Sequence, residues 1–159
     1  PAFLLYLTNG AYVFGSAKPV PVDFTRLRHR WRDMALVAAA GPGANILIAV
    51  CSGLLLRILM SSGLFTPEQR VDELLKACLW SNVFLAVFNL LPVPPLDGSR
   101  IVTWLLPRRW RDPYQAIGIY GILITLIAMR YVPLFSDTVY GVSMGLGHLI
   151  SWGTGIRGA

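Results

Sequence analysis

The sequence predicts an all-α integral membrane protein: a single membrane-embedded domain over residues 1–159, built of several transmembrane helices. One helix is interrupted at a proline-rich stretch. Three observations predict this class. The first is composition: 55% of residues are hydrophobic and 14% charged, with a mean hydropathy of +0.57. A soluble domain is about 45–50% apolar and about 25% charged, and a chain this short has too much surface to hide the excess. The second is four charge-free runs, at 34–56, 77–96, 113–129 and 138–156. Each comes close to the roughly 20 residues that cross a bilayer. The third is that prolines and glycines fall inside apolar runs as well as between them.

The same figures exclude a disordered chain, a collagen-like repeat and a disulfide scaffold. The formal charge of +6 and pI of about 9.8 would suggest nucleic acid in a soluble protein. Here the bases sit in short stretches between apolar runs, as they do in membrane loops. The expected surroundings are therefore the lipid bilayer, with no nucleic acid as partner. Cys51 and Cys78 both lie within apolar runs, which predicts buried thiols and no disulfide framework.

From the N-terminus, residues 1–17 carry no charge and show neither a basic leader region nor a small-residue cleavage site. They read as the end of a helix, so the chain is expected to be an N-terminally truncated fragment of a larger core. Irregularity follows over residues 12–22. Pro19 and Pro21 fix φ and push Lys18 and Val20 towards extended backbone. This segment is either an extended hairpin dipping into the interface or an ordinary turn beside the membrane. The loop from Lys18 to Asp33 holds five bases, the one from Glu68 to Lys76 is nearly neutral, and the one from Asp97 to Asp112 holds four arginines. The positive-inside rule places the first and third in the cytoplasm and the second outside. Residues 34–60 and 72–91 then form an out-and-back helical hairpin.

Within the first of these helices, Ala40-Gly41-Pro42-Gly43-Ala44-Asn45 predicts a kink at Pro42 and close packing by small residues. In the last run, Gly141 and Gly145 have the spacing that lets two helices approach closely. His29 lies among arginines as a solvated loop residue, and His148 reads as a packing side chain.

The sharpest break is Asn89-Leu90-Leu91-Pro92-Val93-Pro94-Pro95-Leu96-Asp97-Gly98. Three prolines in four positions cannot donate to a helical ladder, so the helix must end near Leu91. A carboxylate at bilayer depth costs about 2.5–3.5 kcal/mol, so Asp97 is expected to be paired, protonated or bound to a cation. Alternatively it sits at the interface and caps the next helix. The residues themselves leave both readings open.

Asn89-x-x-Pro92-x-Pro94-x-Leu96-Asp97-Gly98 is a complete match to the NxxPxPxLDG motif, and on it the chain resembles the site-2 protease family of intramembrane zinc metalloproteases. Residues 17–22 and 40–45 are similar to further stretches of that family. Their order and spacing resemble its compact prokaryotic members, which lack PDZ and CBS domains. The resemblance covers residues 12–104. It implies that Asp97 is the third ligand of a Zn2+ ion whose other ligands are the histidines of an HExxH motif. It also implies that Asn89 helps to hold the substrate backbone. Pro19, Val20, Pro21 and Val22 would belong to a re-entrant β-loop beside the substrate strand. The implied partners are membrane-anchored protein substrates, cut within their transmembrane segments in a prokaryotic cytoplasmic membrane.

The residue types suit that chemistry. Two imidazoles and a carboxylate leave one zinc position for water, whose pKa the metal lowers. A glutamate takes its proton as it attacks the scissile carbonyl, and an unwound substrate can be held as an added strand. One departure is plain: the 159 residues contain no HExxH. The resemblance places that motif, with its catalytic glutamate, upstream of Pro1, so these residues alone are expected to be inactive. Two competing readings are a non-catalytic scaffold that binds transmembrane helices and a transporter with an intramembrane aspartate.

Overall fold

A computed structural model describes residues 30–62 and 70–156. These form six helices and no strand: α1 (Arg30–Ser61), α2 (Arg70–Asn89), α3 (Asp97–Leu105), α4 (Arg108–Gln115), α5 (Ile119–Tyr131) and α6 (Pro133–Gly153). The expected β-loop at Pro19–Val22 and His29 lie outside the described residues.

The first charge-free run becomes α1, which continues through Pro42 and is about 48 Å long at 1.5 Å per residue. It is the one described helix long and apolar enough to cross a membrane by itself, and 22% of its most apolar stretch is buried. A soluble core helix shows the opposite burial. Leu36, Leu47, Ile48, Leu55 and Ile58 are exposed, whereas the buried side is mostly small, with Ala35, Ala38, Ala49 and Ser52. That small-residue side receives α2 and α3. The core lies where α1, α2 and α6 meet, at Ala49, Leu79, Val83 and Ile150, with Ile46, Val50, Trp80 and Leu146 around them.

Three expectations are corrected. The charge-free run 113–129 is not one helix. It breaks at residues 116–118, where Gly118 takes φ +50°, and α4 meets α5 at a bend of 75°. Taken together, that bent pair counts as a second candidate span. In α6 the glycine pair Gly141 and Gly145 faces open space, since a Cβ on either would meet nothing within 4 Å. The close approach is made instead by Ser143, Gly147 and Ser151, all buried, and a Cβ on Gly147 would fall on the Trp80 ring. The two sets differ by two positions, about 200° around a helix. Finally, Cys51 lies on the exposed side of α1, while Cys78 is half-buried; both are free thiols. His148 is exposed and meets Trp80 edge-on, with ring centres 5.5 Å apart.

Candidate functional site

The site is built by the interruption between α2 and α3. The last helical bonds of α2 run from Leu90 N to Ala86 O (3.1 Å) and from Leu91 N to Phe88 O (3.1 Å). Pro92, Pro94 and Pro95 then offer no donors, and tight turns carry the chain from Val93 N to Leu91 O (2.8 Å) and from Leu96 N to Val93 O (2.9 Å). The Pro94–Pro95 peptide is cis.

Carbonyls freed by such a break need partners at membrane depth, and three helices supply them or close over them. The Tyr114 hydroxyl of α4 donates to Pro92 O at 2.7 Å. Gly121 of α5 sits so close to Pro94 that a Cβ would fall on its carbonyl oxygen. Gly98 of α3 lies against the end of α2, where a Cβ would strike Leu90 O and come within 2.6 Å of Leu91 O. A glycine after Asp97 is thus a packing requirement of the elbow.

Asp97 is the first residue of α3. The cap position belongs to Leu96, with φ −62° and ψ 155°, and no side chain caps this end. The capping role that the sequence left open for Asp97 is therefore not the one adopted. Its carboxylate turns towards α1 instead: a Cβ built on Gly41 would lie 2.7 Å from Asp97 Oδ2. The bare backbone at Gly41 makes room for the oxygen. At the helix N-terminus the negative charge is also favoured by the peptide dipoles.

The rest of α3 is held by a chain of bonds. Ser99 Oγ donates to Leu96 O at 2.7 Å, Thr103 Oγ1 to Ser99 O at 2.7 Å, and the Gln115 amide to Thr103 Oγ1. Arg111 donates to Leu106 O at 2.9 Å and to Trp104 O at 3.1 Å. Its guanidinium lies over the Trp31 ring of α1 at 5.3 Å.

Among the residues expected at the site, Asn89 is the half-buried last residue of α2, on the far side of the break from Asp97. Pro19, Val20, Pro21 and Val22 lie outside the described residues. Among the described residues no group of three or more His, Cys, Asp or Glu side chains could hold a metal ion. A lone carboxylate is a fitting zinc ligand, so Asp97 fits as one member of a set completed from elsewhere. Sequence reasoning marked Gly41 as a packing residue and missed its contact with Asp97. It also missed the brace formed by Tyr114 and Gly121, which no local pattern announces.

Residues 58–129, which include the whole break, match peptidase family M50. The chain is 32% identical over 117 residues to a Bacillus subtilis protein named "Putative zinc metalloprotease YwhC", covering 72% of this chain and 53% of that one. It is 34% identical over 68 residues to "Putative zinc metalloprotease MJ0611" of Methanocaldococcus jannaschii, covering 43% of this chain and 32% of the relative. The chain thus spans about half the length of the first and a third of the second. No solved structure matches it. The broken helix and its carboxylate lie within the matched stretch, and the chain is similar to relatives named as zinc metalloproteases. The match to peptidase family M50, the site-2 protease family, covers 72 of the 159 residues.

Proposed function

We propose that these residues are the C-terminal part of an intramembrane zinc metalloprotease of a prokaryotic cytoplasmic membrane, cutting membrane-anchored proteins within their transmembrane segments. The observation that carries this reading is the Asp97 carboxylate, uninvolved in capping and set against the bare backbone of Gly41. Gly41 lies about a third of the way along a helix longer than the roughly 30 Å apolar core of a bilayer, which supports placing Asp97 at membrane depth.

In this reading Asp97 is one zinc ligand, and the two histidines and the catalytic glutamate come from an HExxH segment outside these residues. Zinc held there would supply Lewis acidity and a water of lowered pKa. Asp97 must stay ionised and fixed to serve, and the braced elbow fixes it. The Asn89 amide has both a donor and an acceptor, so it can pair with both groups of an unwound substrate peptide. Pro19–Val22 would offer an extended edge for the same strand.

The test uses the full-length protein. Asp97→Ala is expected to abolish cleavage of a transmembrane substrate and to lower the zinc content of the purified protein. Wild-type cleavage with normal zinc would overturn the ligand assignment. Asn89→Ala should lower cleavage with zinc retained. A full-length sequence without HExxH would leave a helix-binding scaffold in place of an enzyme.

A further inference from the structure

A second polar site lies at the other end of α1, and neither the family reading nor Asp97 accounts for it. Arg57 is the only charged residue of α1 beyond Asp33, and a cation in so apolar a helix is expected to have a use. Its guanidinium turns towards the C-terminal end of α6, where Nη1 donates to Thr154 O at 3.4 Å.

That end of α6 is shaped to receive it. Thr154 N bonds to Ile150 O (2.8 Å), Gly155 N to Trp152 O (3.0 Å) and Ile156 N to Ser151 O (2.8 Å), closing the helix. Gly155 takes φ +77°, which favours glycine, and a Cβ there would crowd Arg57 Nη1 at 3.0 Å. One turn earlier on α1, Gly53 lets Thr154 pack closely, since a Cβ would lie 2.9 Å from Thr154 Oγ1. Gly53 on α1 and Gly155 in the turn after α6 therefore leave room for the guanidinium to meet that end.

Beside it is a cavity of about 380 Å³, lined by Arg57, Met60, Ser61, Lys76, Gly155 and Ile156. That volume lies in the range of about 300–1,000 Å³ typical of small-molecule sites. Lys76, from the second turn of α2, is held by Asp72 at 3.3 Å, an acceptor that engages one of its three N–H groups. Arg57 has five N–H donors, of which Thr154 O takes one. Two fixed cations with unspent donors thus border one headgroup-sized space. Among the described residues, Arg57, Lys76 and Asp72 together sum to +1.

We propose that this cavity binds a phosphate group bearing a single negative charge, gripped by Arg57 and Lys76. Planar guanidinium and ammonium donors make charge-assisted bonds to phosphate oxygens. Met60 and Ile156 give the same cavity an apolar wall, which suits a phosphodiester with carbon substituents. The source is either a phospholipid headgroup or free phosphate.

The test is binding to the purified, delipidated full-length protein. One arm titrates inorganic phosphate by calorimetry. The other offers micelles doped with phosphatidylglycerol and counts retained lipid by native mass spectrometry. One phosphate-bearing molecule per chain is expected in at least one arm, and the arm that binds identifies the source. Arg57→Gln and Lys76→Gln should each weaken binding roughly tenfold, with Arg57→Lys intermediate. Arg57→Gln also cuts the tie to Thr154, so Lys76→Gln, which keeps that tie, carries the test should the first variant fail to fold. No binding in either arm, or binding unchanged in Lys76→Gln, overturns the proposal. Neither result depends on zinc or on cleavage.

Discussion

Two charged side chains lie against glycines at two levels of α1, and the molecule builds the two places differently. Asp97 Oδ2 occupies the space that a Cβ on Gly41 would need, and Arg57 Nη1 crowds the corresponding space at Gly155. About 24 Å of helix separates the two levels. At Asp97 the backbone itself is broken, and α3, α4 and α5 close over the break through Gly98, Tyr114 and Gly121. At Arg57 an ordinary helix ending turns aside and leaves a cavity. A group that must hold one position is surrounded by backbone that cannot move, whereas a group with space and unspent donors before it is arranged to meet something from outside.

The comparison breaks most easily at the elbow. In Gly98→Ala the new methyl falls on Leu90 O and crowds Leu91 O, and both are backbone atoms with nowhere to go. A loss of about 3 kcal/mol or more is expected, read as a large drop in melting temperature or failure to fold in micelles. Gly43→Ala is the matched control, because a Cβ there meets nothing within 4 Å. Equal melting of the two variants would mean that the elbow is not rigid.

A smaller effect tests the brace. Tyr114→Phe removes the bond to Pro92 O and leaves a freed carbonyl without that donor. Loss of such a bond costs about 1 kcal/mol, measurable as a modest shift in thermal unfolding. No shift would mean that Tyr114 merely touches the break and does not hold it.

How much of this was legible varied with the physics of each feature. The break was placed well: proline removes donors where it stands, and the helix expected to end near Leu91 ends at Asn89. The face of α6 was not. A Gly-x-x-x-Gly spacing says that a close approach is feasible and not which side the partner takes, so Gly141 and Gly145 stand out in the sequence while Ser143, Gly147 and Ser151 form the buried side. Absence of charge likewise merged α4 with α5, because hydropathy does not record the positive φ of Gly118. Cys51 was expected to be buried, yet an apolar run reads alike whether it faces a core or lipid. The contact of Gly41 with Asp97 joins residues far apart in the chain, and nothing local to either names the other.

The smallest expected effect on folding is also the one that separates the two roles of the Asp97 end. Gly41→Ala places a methyl where Asp97 Oδ2 now lies, but that oxygen is the tip of a side chain and can swing away. Alanine in a helix gains up to about 1 kcal/mol over glycine, which offsets the displacement. Thermal stability should therefore change by no more than about 1 kcal/mol in either direction. The carboxylate, however, is moved from the position in which the elbow presents it. If that position serves to bind zinc, the full-length Gly41→Ala protein should melt like the wild type, yet retain less zinc against a chelator and cleave more slowly. Unchanged zinc retention would show that Gly41 is bare for helix packing alone, and that the site tolerates a displaced Asp97.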